Sequence, residues 1–224
     1  ARGDLLIFTD DDVVVSRSWI SEHVACHRSF QRRGVPVGVI GGPIRGIWEV
    51  PRPLWWPDEF LYAVTEFGIE PGRTELEGGD LPLGANYSCS KALIERVGGF
   101  DSRMGGIVGR SALFTIPGEE TLVALRIGAQ GFEPRFCPAA EVNHWMPEER
   151  LTTRYFAVRL FQQGAGDLVT ALRLGNGKWG TLCRPIAKRL ARSIKAFLRL
   201  TVGAGIRPSN WKGPAWFGEF GHLL

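Results

Sequence analysis

Sulfur is scarce in this chain. Of its 224 residues only Met104 and Met146 are methionines, and the four cysteines, Cys26, Cys89, Cys137 and Cys183, are widely scattered. No CxxC pair and no paired metal spacing occurs. The thiols therefore read as free groups in a reducing compartment, not as a disulfide framework or a zinc site. No signal peptide is visible, and no long uncharged apolar run reads as a membrane span. Internal repeats and low-complexity tracts are missing too. Neither a nucleophile elbow nor a Cys–His motif occurs, which fits chemistry without a covalent enzyme intermediate.

What is present suits a folded chain. Hydrophobic residues make up 44% and charged residues 22%, enough to bury the core of one large domain or of a domain with an appendage. The formal net charge of +4 is mildly basic and suits an anionic ligand or an anionic lipid surface. The chain opens "ARGDLLIF", with no initiator methionine and almost no lead-in to an apolar strand. A parallel strand needs neighbours. This opening predicts a longer protein whose N-terminal part precedes residue 1.

Leu5 to Thr9 reads as a strand buried on both faces. Ser18 stands where it can cap a helix that runs to about Arg33, and Gly34 and Pro36 stop it. Val37 to Ile40 is a second strand, closed by Gly41-Gly42-Pro43. Strand, helix, strand implies a mostly parallel α/β sheet. Residues 43 to about 80 form a Trp-, Pro- and Gly-rich excursion. Trp48, Trp55, Trp56 and Phe60 either pack beneath it or line a sugar or lipid platform. Regular structure resumes with extended chain from Leu81 to Tyr87 and a helix from Ser90 through Val97. A glycine-rich loop follows, then a helix from about Glu119 to Gln130. Extended segments lie near 132–136 and 141–144, and a helix from Leu151 to Gln163 is closed by Gly164. Beyond it, Ile186, Leu190, Ile194, Phe197 and Thr201 share helical spacing. So do Lys188, Arg192, Lys195 and Arg199, with no acid among them. That pattern is a cationic amphipathic helix, packed on the domain or lying on an anionic membrane.

Four features can carry chemistry. Asp10, Asp11 and Asp12 follow the first strand, where α/β proteins bind ligands. Adjacent carboxylates repel unless a cation neutralises them, and Mg2+ or Mn2+ suits carboxylates plus phosphate oxygens. In extended chain Asp10 and Asp12 point the same way. An acid cluster ahead of the helix at Ser18 explains the triplet equally well. His144, at a strand end, is either structural or the neutral imidazole that completes such a metal site. Glu119 and Glu120 open a helix. There they complement the macrodipole or supply a general base, and only one of them can aim into a cleft. Arg150, Arg154 and Arg159 are solvated helix residues or diphosphate ligands.

The order of these segments is more telling than any one of them. "ARGDLLIFTDDDVVVSRSWI", "GGPI", "LPLGANYSCSKALIERVGGFDSRMG", "GEETLVALRIGAQGFEPRFCPAAEVNHW" and "RLTTRYFAVRLFQQG" occur in sequence. Over roughly residues 1 to 165 this resembles the second half of a family-two inverting glycosyltransferase. The resemblance implies an incomplete GT-A fold, Rossmann-like, with a mostly parallel sheet flanked by helices and a helical C-terminal appendage over 166–224. It implies that the first βαβ units, which bind the nucleobase, are missing. Asp10 and Asp12 match the DxD element that holds the metal and the donor diphosphate, with Asp11 nearer the sugar or ribose. Gly84 and Asn86, in "GAN", match the segment shaping the acceptor and donor-sugar pocket. Glu120 takes the base position, one methylene longer than the family's usual Asp, and Glu119 beside it binds acceptor. His144 matches a histidine that completes metal or diphosphate binding. Arg150 and Arg159 fall just beyond it.

The expected function is metal-dependent sugar transfer with inversion. The donor is a nucleoside-diphosphate sugar of UDP or GDP type, and the acceptor is a saccharide or a lipid-linked hydroxyl. The expected location is cytoplasmic, with peripheral contact to the inner face of a membrane. Nucleic acid is not an expected partner, because the basic residues sit in one amphipathic stretch without interleaved stacking aromatics. The competing expectation is a catalytically inactive relative that binds membrane surfaces.

Overall fold

The computed structural model describes residues 1–56, 58–68, 74, 76, 80–105 and 116–174. The cationic amphipathic segment and Cys183 lie outside the described residues, as does most of the glycine-rich loop. The described strands are β1 (Leu5–Thr9), β2 (Val13–Val15), β3 (Val37–Gly41), β4 (Ile44–Trp48), β5 (Asn86–Ser90), β6 (Glu133–Phe136) and β7 (Val142–Met146). The helices are α1 (Trp19–Arg32), α2 (Lys91–Arg96), α3 (Glu119–Gly128) and α4 (Thr153–Leu174). Short 3-10 segments cover Asp58–Val64 and Glu148–Leu151.

The chain is an α/β protein with helices flanking two sheets. One sheet has the order β1-β5-β3-β6 and the other β2-β7-β4. The strand–helix–strand reading is right in direction, because β1 and β3 both run antiparallel to β5 and so parallel to each other. They are not neighbours, however, since β5 lies between them. The expected mostly parallel pairing is therefore replaced by a mixed one. β3 pairs parallel with β6 and β4 with β7, while β2 pairs antiparallel with β7. The inserted β5 also leaves β1 at an edge of the described sheet and only half-buried, not covered on both faces.

Three links cross from the first sheet to the second: Asp10–Asp12 between β1 and β2, Gly42-Pro43 between β3 and β4, and residues 137–141 between β6 and β7. Asn86 holds this seam together. Its Nδ2 donates to Pro43 O at 2.9 Å and to Ala140 O at 2.7 Å, tying two links. Its Oδ1 accepts from Trp19 Nε1 at 2.9 Å and His23 Nε2 at 3.0 Å, tying α1 as well. A Cβ on Gly42 would stand 2.1 Å from Ala140 O, so the links meet only because that side chain is absent. Ile44, Ala140 and Val142 sit at the seam in one fully buried cluster with Trp19 and Ile40.

The helix ends follow the expected signals with two departures. Gly34 turns the chain after α1 with φ +68°. Ser18 and Ser90 occupy the N-cap positions of α1 and α2, yet neither makes a side-chain cap bond. α4 does not stop at Gly164 but continues to Leu174. Gly166 lies inside it because the helix touches the backbone there: a Cβ would stand 2.2 Å from Pro117 O. Two tryptophans of the excursion, Trp55 and Trp56, pack against α4. Trp56 is 2% exposed, and its ring meets Phe156 of α4 at 4.8 Å; Trp55 meets the same ring at 5.8 Å. No described helix is long and apolar enough to cross a membrane.

Candidate functional site

Sheet register assembles the first cluster. Val13 pairs with His144 across β2 and β7, and Trp145 N donates to Asp12 O at 2.9 Å. Asp12, at the mouth of β2, is thereby set beside the His144 imidazole. His144 Nε2 lies 3.1 Å from Asp12 Oδ1 and 3.7 Å from Asp10 Oδ2. One donor atom from each of the three residues falls within 4.8 Å of the others. Asp11 is exposed and stands outside this group. Arg150, in the 3-10 turn after β7, donates from Nη2 to Asp12 Oδ2 at 3.0 Å.

These donors fit a divalent cation. Adjacent ligands of an octahedral ion with bonds of about 2.1 Å lie about 3 Å apart, and the Asp12–His144 separation meets that as it stands. Two carboxylates with one imidazole suit Mn2+ and tolerate Mg2+. His144 is buried, and its Nδ1 has no hydrogen-bond partner among the described residues. Only the Nε2 edge of the ring faces the carboxylates, so this is the nitrogen available to a cation.

The second cluster forms at the start of α3. Gly118 takes a left-handed φ of +109° at the N-cap, so the chain turns sharply into Glu119 and Glu120. The Glu119 carboxylate lies over Gly105, where a Cβ would stand 2.6 Å from its Cδ. Glu120 rests against Gly84, its Oε1 3.5 Å from where a Cβ would be, and its carboxyl is within hydrogen-bonding reach of the Glu119 carboxyl. Burial, reinforced by the neighbouring Glu119 charge, pushes the Glu120 carboxyl up to about 7, while Arg159 pulls it back. Arg159 is steadied by a bond from Nε to Ala63 O at 3.3 Å. Tyr87 has a buried hydroxyl with no partner among the described residues, and burial together with the Glu120 charge raises it.

The structure thus brings Asp10, Asp12, His144 and Arg150 together, and separately Glu119, Glu120, Gly84 and Arg159. Asn86 stands apart from both groups. It is fully buried and its amide makes four protein hydrogen bonds, so it has no capacity left for a ligand and acts as a clamp. The sequence reading missed a third feature, a buried relay on α1. His23 Nε2 donates to Asn86, Ser88 Oγ donates to His23 Nδ1 at 2.9 Å, and His27 Nε2 donates to Ser88 Oγ at 2.9 Å. Burial lowers both imidazoles, His27 to about 4. Their i, i+4 spacing was the available signal.

No protein-family model matches the chain, and no curated protein matches it. Among solved structures it is similar to the mannosyltransferase PcManGT from Pyrobaculum calidifontis in complex with GDP-Man and Mn2+. That likeness has 16% identity and a TM-score of 0.49, over 95% of this chain and 57% of that one. It is also similar to GalNAc-T7 with UDP, GalNAc and Mn2+, at 14% identity and a TM-score of 0.39, over 83% of this chain and 38% of that one. The chain therefore spans less than two thirds of the length of either. Both scores lie below 0.5, and the reading of the site rests on its own residues.

Proposed function

We propose that this chain carries the metal-holding and acceptor-activating groups of an inverting glycosyltransferase, which moves a sugar from a nucleoside-diphosphate donor to a hydroxyl acceptor. The observation that supports this best is the Asp10–Asp12–His144 cluster, built from the β1–β2 link and the distant strand β7. Those three residues would hold Mg2+ or Mn2+, which when bound supplies Lewis-acid stabilisation of the diphosphate. The remaining work falls to the chain's own side chains.

Glu120 accepts the proton of the acceptor hydroxyl. A carboxyl poised near 7 is half-ionised at neutral pH and holds the proton once taken, which suits a general base. Its carboxyl, one methylene farther out than that of Asp, lies against Gly84, where an added Cβ would be in ordinary van der Waals contact at 3.5 Å. Glu119, whose carboxyl is hydrogen-bonded to that of Glu120, binds acceptor. Asp11, exposed beside the cluster, contacts the sugar or ribose. Arg150 and Arg159 are the cationic groups for diphosphate oxygens. Inversion follows from a single displacement, with no nucleophile required of the protein. In this reading residues 1–165 carry the site and 166–224 form an appendage, though α4 runs unbroken through that boundary.

The test is sugar transfer, or slow hydrolysis of UDP- and GDP-sugars, by the full-length protein with Mn2+. Wild type should turn over, and Asp12→Ala and Glu120→Gln should each lose at least about 100-fold. Equal turnover by wild type and Asp12→Ala would overturn the reading. No turnover by any form would favour the inactive, surface-binding alternative.

A further inference from the structure

Both carboxylate oxygens of Asp12 are engaged, each by a different group. Oδ1 faces His144 Nε2 at 3.1 Å, and Oδ2 accepts from Arg150 Nη2 at 3.0 Å. One segment delivers both partners. β7 carries His144, and the 3-10 turn that follows it carries Arg150, whose backbone N–H donates to Pro147 O at 3.0 Å. The Arg150 side chain is 31% exposed, so its guanidinium has open space into which it can turn. Among the described residues its side-chain hydrogen bonding is to Asp12 alone, through one nitrogen. Among the described residues nothing takes up the other edge of the fork, which can serve a second anion.

A guanidinium carries a delocalised positive charge on a planar fork of donors. Beside Asp12 it offsets part of the repulsion among the three adjacent aspartates. It does so on the very carboxylate that faces His144. A divalent ion arriving alone must share Asp12 with this fixed positive charge and meets like-charge repulsion at close range. An ion arriving with a phosphate group does not. The guanidinium can then move onto a phosphate oxygen, where planar, paired hydrogen bonding suits it better than the single bond it makes to Asp12.

We propose that Arg150 is a built-in competitor of the cation: it neutralises Asp12 in the cation-free site, weakens binding of a bare divalent ion, and couples that ion's binding to a phosphate-bearing ligand. This rests on the reading of Asp10, Asp12 and His144 as the cation site. The sign is its distinctive feature. A residue that merely supported the site would weaken metal binding when removed, whereas removal of a competitor strengthens it.

The experiment titrates Mn2+ alone into the full chain and follows the electron paramagnetic resonance of free Mn2+, with circular dichroism as the check on folding. Arg150→Ala and Arg150→Gln should bind Mn2+ about 3- to 30-fold more tightly than wild type, within the usual range of coupling between sites. Arg150→Lys, which keeps the charge, should stay within about threefold of wild type. Asp12→Asn should bind at least about tenfold more weakly. Glutamine retains a polar contact without charge, so it decides the matter if the alanine variant does not fold. Equal or weaker binding by folded Arg150→Gln, with Asp12→Asn still impaired, overturns the competitor and leaves the metal site standing. Tighter binding by Arg150→Lys, equal to that of the glutamine variant, would also overturn it, because charge would not be the cause. Identical binding by wild type and Asp12→Asn removes the metal site and this proposal together.

Discussion

Val13 and His144 face each other across the β2–β7 ladder, and this pairing brings His144 Nε2 to 3.1 Å from Asp12 Oδ1. The two residues that meet in the candidate metal centre are far apart in the chain and adjacent only through sheet register. A slip of one residue would turn the His144 side chain to the opposite face of the sheet.

Metal binding should appear as stability. At Mn2+ near 100 times its Kd, linkage adds about 2.7 kcal/mol, which for a chain of this size raises Tm by roughly 5–10 °C. A chelator should reverse the rise, and both Asp12→Asn and His144→Ala should abolish it. Differential scanning fluorimetry reads this directly. An undiminished shift in Asp12→Asn would place the cation elsewhere.

Glu120 gives activity and stability opposite responses to pH. Transfer should increase through about pH 7 as the carboxyl ionises, and Glu120→Gln should be slow and flat across the range. In the unfolded chain this carboxyl ionises in the ordinary range, and in the fold only near 7. The folded state is therefore penalised as pH rises between those values, and the penalty is complete above 7. Glu120→Gln should match wild type at pH 4 and exceed it by roughly 1–3 kcal/mol at pH 8 in urea unfolding. A variant no more stable than wild type at pH 8 would mean that the carboxyl is not held in a poorly solvated site.

His23 and His27 act in the other direction. Burial depresses both, so they are neutral in the fold and take up protons more readily when unfolded. Their contribution is present above about 6.5 and is lost as pH falls toward 4. Denaturant midpoints should therefore drop across that window, and His27→Gln should flatten the drop. A wild-type midpoint that stays constant from pH 7 to 4.5 would contradict the buried relay.

Asn86 is expected to matter for folding before it matters for chemistry. Asn86→Ala removes four hydrogen bonds and strands the buried donors of Trp19 and His23. The cost should be about 3–4 kcal/mol, or a fall in Tm of roughly 6–15 °C. Mn2+ affinity should fall with it, since the seam positions Asp12 and His144. Normal stability with lost sugar transfer would instead make Asn86 a ligand.

Gly166→Ala sets two effects against each other. Alanine improves helix propensity by up to about 1 kcal/mol, but its Cβ would stand 2.2 Å from Pro117 O, next to the turn that presents Glu119 and Glu120. Backbone cannot yield there as a side-chain tip would, and overpacking typically costs about 1–3 kcal/mol. A net loss of stability is expected, with activity falling further than stability. A Tm equal to or above wild type would show that α4 can move away without consequence.

Much of this could be read in advance, because it depends on short-range pattern. The apolar run of β1, the glycine and proline that end α1, and the acids opening α3 are local signals. The association of Asp10, Asp12 and His144 came from a resemblance in the order of motifs, and the sheet register brings the three residues together. β4 escaped notice because Ile44–Trp48 has Gly46 and Arg45 in its middle, and it is a strand only by pairing with β7 and bridging to Phe67. The pocket role of Asn86 is what the resemblance of "GAN" implies, and a local motif does not show the four buried partners its amide meets. Gly164 looked like a helix stop, but the need of α4 to touch Pro117 outweighed the local preference.

The sequence by itself determined which groups are on hand: three adjacent carboxylates after a strand, a late histidine, two glutamates at a helix start, and arginines beyond. Those follow from composition and short spacing. Only the tertiary structure decided how they are arranged. Insertion of β5 made the sheet mixed, the seam consumed Asn86, and register set His144 and Arg150 on the two oxygens of Asp12. Each of these depends on contacts between residues far apart in the chain, whose energies arise from burial and hydrogen bonding that no local window of sequence contains.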